Sequence, residues 1–302
     1  MTEICGLCDQ KKELMQSHLI PKFVFSWSKS TSVTGYLRQA INANLRRQDG
    51  DKRPLLCLDC EQIVGRFESE FAKIVFYPYV NKELNDWGSA TGKIPFFTYE
   101  EWLLKFIISL LLRHILTFDK FEKKINKDKL QILYDHLRYF KEYLLSKRED
   151  TGNNRSYVIF LQNLAFGRGY LPPNINKNIN FYLLKATDGT VATGKNVLGI
   201  YIKLGPIVIF TSFIPTEIKV LEKLVIKKKG LLTTAQKLKG SQLVKFIFID
   251  RPNEAMKFVK ISDKQQKIIQ KSYSDNPEKA VESMTAKTIF SDQYLESIKA
   301  DE

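Results

Sequence analysis

The first 60 residues hold four cysteines and one histidine in an order that can do chemistry. They read Cys5-Gly-Leu-Cys8, then Ser17-His18-Leu-Ile-Pro21, then Cys57-Leu-Asp-Cys60. These are all four cysteines of the chain and one of its three histidines. Each CxxC pair sets two thiolates at the turn of a knuckle, and four thiolates close a tetrahedral zinc site of the structural kind. A reduced redox pair and plain buried cysteines are the competing readings, and the first lacks a thioredoxin-like setting. Cys8 and Cys57 are separated by 48 residues (9–56), more than the roughly 15–20 of a compact zinc ribbon, so something folded must fill the gap. His18 is open to three roles: a general base, a further zinc ligand, or a core histidine bonded to backbone. An imidazole with an ordinary pKa of about 6.5 suits the first at neutral pH.

Charge points to the partner. Lysine and arginine number 47 against 33 aspartates and glutamates, a net charge of +14. That excess selects an anionic partner, nucleic acid before an anionic membrane surface, with a solvated basic surface as the alternative. Lys22, Lys29, Arg38, Arg46, Arg47, Lys52, Arg53 and Arg66 gather around the Cys/His unit, interleaved with Phe23, Phe25, Trp27 and Tyr36. Arg46, Arg47 and Arg53 are expected to meet phosphates, and Phe23 and Trp27 to be core. The most apolar run, 103–116, contains Lys105 and Arg113 and falls short of the ~20 residues of a membrane span. The N-terminus has no apolar leader segment, so the expectation is a cytoplasmic protein with no membrane role. In a reducing compartment paired cysteines favour metal over disulfides.

These residues need elements to position them. The pattern predicts a first knuckle, a strand reaching His18 and a stop at Pro21. A loop over 23–54 with a helical piece is inserted next. A strand end, the second knuckle and a helix with Ile63, Phe67, Phe71 and Ile74 on its apolar face follow. Residues 78–98 read as a connector. Residues 99–148 read as helices, the first buried and the second amphipathic through Leu130, Leu133, Leu137, Phe140 and Leu144, with His114 and His136 as packing or surface residues. Beyond the polar break at 149–156, "YVIFLQNL", "INFYLLKAT", "VLGIYIKL", "IVIFTSFI" and "LVKFIFID" read as strands. Gly205-Pro206 is the turn of a hairpin, and "TEIKVLEKLV" and "SDKQQKIIQKSY" are helices. No internal repeat or phosphate-binding glycine loop is present. The fold class is α+β: a zinc-stapled unit (1–98), a helical segment (99–148) and a mostly antiparallel sheet with flanking helices (149–302). The last is expected to serve sensing, a protein partner or homo-oligomerisation.

"SHLIP" between two CxxC pairs, with the second pair opening a helix as "LLCLDCE", resembles the HNH, or His-Me finger, endonucleases. The resemblance covers about the first 75 residues. It implies a zinc-stapled treble clef carrying a ββα unit, and metal-dependent hydrolysis of phosphodiesters in nucleic acid, with double-stranded DNA as the expected substrate and bacterial defence as a setting. By position it makes His18 the base that activates water, and Cys5, Cys8, Cys57 and Cys60 the structural zinc ligands. Ser17 and Glu61 stand at the positions that hold a catalytic Mg²⁺ or Mn²⁺. Two departures stand out: Ser17 is not a carboxylate, and Lys52 replaces the family's middle asparagine. Glu68 lies about 10 Å further along the helix, too far to share Glu61's ion, and is expected to partner a basic residue. A zinc-dependent nucleic-acid-binding or scaffold protein without catalysis is the alternative.

Overall fold

A computed structural model describes residues 2–84, 96–118, 125–165, 174–214, 219–236, 238 and 242–300. The chain opens with strands β1 (Thr2–Ile4) and β2 (Lys11–His18) and helix α1 (Lys22–Ser30). A ribbon of β3 (Leu37–Gln39) and β4 (Asn42–Arg47) comes next, then β5 (Lys52–Cys57) and helix α2 (Leu58–Phe71). The first sheet is antiparallel in the order β1-β2-β5. Pro21 ends the strand region and occupies the N-cap of α1, where its missing N–H costs nothing. The insertion expected as a loop with a helical piece is α1 plus the two-stranded ribbon.

Cys57 is the N-cap of α2, whose first turn carries Asp59 and Glu61, acidic groups that suit the positive end of a helix. The fully buried stripe of α2 runs through Cys60, Val64 and Phe71. Ile63, Phe67 and Ile74 are half-buried at its flank, so the apolar face is rotated by one position from the expected one. The helix does not stop there. Pro78 has no N–H for an α-helical ladder, and the chain passes it through two π-helical turns, Ala72–Phe76 and Tyr79–Glu83. The connector expected over 78–98 is therefore helical as far as Glu83. Its residues 85–95 lie outside the described residues, and it ends in strand β6 (Phe96–Tyr99).

Helices α3 (Glu101–Ile115) and α4 (Lys127–Leu144) pack together and α3 packs on α2. Eleven of the fifteen α3 residues are buried, as its near-continuous apolar sequence demands. On α4, Leu133, Phe140 and Leu144 are buried and Leu130 and Leu137 half-buried. His114 and His136 each bond through Nδ1 to the carbonyl four residues earlier, at 2.9 and 2.8 Å. No helix among the described residues is long and apolar enough to cross a membrane.

The second half is built on a four-stranded antiparallel sheet in the order β7-β10-β9-β8, formed by Arg155–Phe160, Ile207–Ser212, Val197–Leu204 and Thr187–Gly194 respectively. Gly205, at φ +61°, turns β9 into β10; this left-handed conformation favours glycine. Two of the expected strands are helices. "INFYLLK" forms α5 (Ile179–Lys185), and "LVKFIFID" forms α6 (Gln242–Lys245) and a π-helical turn, Phe246–Asp250. A short apolar run has no period that separates a buried helix from a buried strand. For α5 the deciding partner is remote: Asp292 accepts the N–H groups of Asn180 (2.7 Å) and Phe181 (3.0 Å), capping the helix from elsewhere. Of "TEIKVLEKLV", residues 219–224 form a 3-10 helix, and 216–218 lie outside the described residues. Strand β11 (Gly230–Thr233) then pairs with β6. Helices α7 (Arg251–Met256), α8 (Asp263–Ser274), α9 (Pro277–Glu282) and α10 (Met284–Ala300) complete the chain. One continuous apolar core includes Cys5, Cys57 and Cys60, the inner faces of α2 to α4, and Ile202, Ile207 and Ile209 of the sheet.

Candidate active site and metal centre

The two knuckles meet. The four Sγ atoms of Cys5, Cys8, Cys57 and Cys60 all lie within 4.8 Å of one another. Those of Cys8 and Cys57 are 3.9 Å apart. A tetrahedron with metal–sulfur bonds of ~2.3 Å has edges of ~3.8 Å, so the four sulfurs stand close to the spacing that a structural metal such as zinc asks for. Backbone geometry builds the cage. Asp9 takes φ +59° just after Cys8, Asp9 N–H returns to Cys5 O at 3.0 Å, and Gly6 N–H reaches across to Leu55 O at 2.8 Å. A Cβ at Gly6 would stand 2.4 Å from Leu116 Cδ1 and 3.1 Å from Leu55 O, so a side chain there would force the Leu116 tip to shift. The Cys57 N–H donates to Cys5 Sγ at 3.2 Å. Burial opposes ionisation of the Cys5 thiol, but the N–H groups of Cys8, Cys57 and Leu7 outweigh it and bring the thiol down to about 7.

The same knuckles fix the ββα unit. His18 closes β2 and lies opposite Lys52 of β5, and Ser17 lies opposite Arg53. Successive side chains of a strand take opposite faces. Buried Ser17 donates its hydroxyl to Glu61 Oε1 on the first turn of α2. His18 Nε2 instead lies 3.0 Å from Asp49 Oδ1, and its ring is beside Phe25. Asp49 is itself gripped, by Lys52 Nζ on Oδ2 at 2.5 Å and by Gly50 N–H on Oδ1 at 2.9 Å. Burial raises the Asp49 carboxyl, but Lys52, His18 and Gly50 N–H more than reverse this and hold it well below the usual carboxylate range. With Nε2–H given to that carboxylate, a neutral His18 carries its free lone pair on Nδ1. The strand end is anchored from below: Arg113 Nη1 donates to His18 O at 2.7 Å and Nη2 to Glu68 Oε1 at 2.6 Å. Glu68 is thus the partner of a buried arginine.

Two pairs therefore stand at the unit, Ser17 with Glu61 and His18 with Asp49. Among the described residues the four cysteines are the one group of three or more histidine, cysteine or carboxylate ligands close enough to share an ion. Glu61 offers a single carboxylate, with no ready-made cage around it. Asp49 and Arg113 were missed in the sequence. The Asp49-Gly50 dipeptide signals a turn before β5, and that turn could have flagged a carboxylate beside His18. Nothing local marks Arg113, 95 residues from His18.

The basic residues divide. Arg46, Lys52, Arg53 and Arg66 are exposed, as is Lys22 at the start of α1. Arg46 lies over the Tyr36 ring at 5.0 Å, and Arg47 is 3.4 Å from Asp51. Arg38 is not presented to solvent in the same way: its guanidinium is tied to Ala43 O at 2.6 Å and to Gln265 Oε1 at 3.2 Å. It braces the ribbon against α8. Arg47, Lys52 and Arg53, with Ile41 and Asp51, line an open cleft of about 390 Å³ between the ribbon and β5. Trp27 is buried, and Phe23 packs on Phe71 and Phe76.

Comparison of the chain with protein-family models, curated proteins and solved structures finds no match.

Proposed function

We propose that this protein is a metal-dependent endonuclease of HNH type that hydrolyses phosphodiester bonds in double-stranded DNA, with a structural zinc in the four-cysteine cage. The observation that carries this reading is the His18–Asp49 pair at the end of a strand stapled, through the cysteines, to the helix bearing Glu61. In this reading Asp49 fixes the tautomer and orientation of the imidazole, and Nδ1 takes the proton of the attacking water. Arg113 holds the His18 backbone, and Lys52 keeps Asp49 ionised. Arg46, Arg47 and Arg53 meet backbone phosphates. Glu61 would be the protein ligand of a Mg²⁺ or Mn²⁺ whose shell phosphate oxygens and water complete, and the ion when bound neutralises phosphate charge.

The test is plasmid nicking by zinc-loaded protein with Mg²⁺ or Mn²⁺. His18→Ala is expected to lose about 10²- to 10⁴-fold in rate while keeping zinc and DNA binding. Asp49→Asn should lower the rate while keeping zinc and DNA binding, because the imidazole loses the carboxylate that fixes its orientation. Equal cleavage by wild type and His18→Ala overturns the assignment.

One observation favours a second reading, a zinc-dependent nucleic-acid-binding or scaffold protein without catalysis. Ser17 stands where the resemblance asks for a carboxylate, and its hydroxyl is bonded to Glu61. DNA binding with no cleavage under either ion selects it.

A further inference from the structure

We propose that the β3–β4 ribbon is a wedge for duplex DNA, entering a groove and setting Ile41 between base pairs beside His18; this rests on the nuclease reading and names how its substrate is held. Ile41 is 88% exposed, in the two-residue turn between the paired Gln39 and Asn42. Turns of this length favour Asn, Asp and Gly, and a β-branched side chain left in water there adds nothing to folding. Leu45, on the same ribbon, is also exposed.

The ribbon is braced while its tip projects. Arg38 bonds Ala43 O and Gln265, and Asn44 Oδ1 accepts the N–H of Ser262 at 2.8 Å, so α8 and its N-cap support the ribbon. These contacts tie the ribbon to α8 and leave its tip projecting.

Charge identifies the occupant. Ile41 sits at the edge of the cleft whose walls carry Arg47, Lys52 and Arg53. One acid shares it, Asp51, which accepts from Gln39 at 2.8 Å and lies 3.4 Å from Arg47. Lys52 is the cross-strand neighbour of His18, so the cleft leads to the histidine. A two-stranded ribbon fits a B-DNA groove, and isoleucine is among the side chains that part base steps and kink the duplex. The deep, narrow major groove of A-form RNA excludes such an element. A single strand calls for aromatic platforms, and no aromatic side chain lines this cleft.

The experiment uses the full zinc-loaded chain in Mg²⁺-free buffer with a duplex carrying 2-aminopurine, whose fluorescence rises on unstacking. Wild type should raise the signal and bind a singly mismatched duplex about 10-fold tighter than a matched one, since a mismatched step is cheaper to open. Ile41→Ser should abolish both effects, and Ile41→Leu should keep them. The salt dependence should be unchanged by either, as no charge is altered. Ile41→Ser behaving as wild type, no signal from wild type, or tighter binding of single strands than of duplex overturns the wedge. Plasmid nicking with Mn²⁺ is read in parallel. Nicking without unstacking refutes the wedge alone, and unstacking without nicking refutes the hydrolytic reading alone.

Discussion

Replacing Arg113 by methionine tests how the His18 strand is anchored. Arg113 is 1% exposed and its partner Glu68 20% exposed. Truncating one member of a buried ion pair costs about 3–5 kcal/mol, because the other charge is left unpaired. Glu68 retains some water, which puts its share near the lower end, about 3 kcal/mol. The His18 carbonyl also loses a charged donor, worth about 1–2 kcal/mol. Arg113→Met should thus destabilise by about 4 kcal/mol. Adding Glu68→Leu removes the stranded carboxylate but not the orphaned carbonyl, so the double variant should sit only about 1–2 kcal/mol below wild type. Urea unfolding of zinc-loaded protein at neutral pH, followed by tryptophan fluorescence, measures both. An Arg113→Met variant within about 0.5 kcal/mol of wild type, the usual scale of surface changes, refutes the reasoning. So does a double variant no more stable than the single.

Metal analysis should find one zinc per chain, and Cys57→Ser should release it and unfold the ββα unit, since binding at such a cage is folding free energy; metal-free yet folded protein counts against the cage. Arg46→Ala with Arg47→Ala should weaken DNA binding equally across unrelated sequences and reduce the salt slope by about 2, as anisotropy titrations at several salt concentrations will measure. Burial lowers Lys185 to about 7, with Nζ bonded to Ser28 O at 3.0 Å and Thr31 Oγ1 at 2.5 Å. Unfolded lysine holds its proton to about pH 10.4, so the unfolded state binds more protons above pH 7 and stability should rise with pH from about 7.5 to 9.5. Lys185→Met should flatten that rise by up to ~1.4 kcal/mol per pH unit, and an unchanged slope in thermal melts refutes the burial argument.

Where a residue's partner lay within a few positions, or its period was unambiguous, the sequence was readable. β2 ending at His18, Cys57 opening α2, and the buried α3 all rest on local chemistry: a stop at Pro21, a CxxC pair, a near-continuous apolar run. The four-cysteine cage was legible for the same reason, since spacing alone marks two knuckles. The apolar runs at 179–185 and 242–250 were not, because their state is decided by what packs around them; Asp292 capping α5 is invisible from residue 180. The same holds for the site. Ser17, His18 and Glu61 could be named by order, whereas the Asp49 and Arg113 contacts depend on how the insertion folds back and on a helix 95 residues away. Arg38 carries the same charge as Arg46, yet the fold uses it as a brace, and composition cannot distinguish the two uses.

The pairing of β6 with β11 has a consequence for synthesis. Tyr99 meets Gly230, and Phe96 meets Thr233, so β6 leaves the ribosome at least 131 residues before its mate. At about 5–20 residues per second, that is a wait of roughly 7–26 seconds. The four cysteines of the cage are complete by residue 60 and can come together during this interval. The oily α3 spends most of it without the sheet strands of its shared core, which are complete only at residue 212. The nascent chain thus passes through a stage in which its first knuckles are set while its greasiest helix waits, and that stage is where chaperones would be needed and where aggregation would begin.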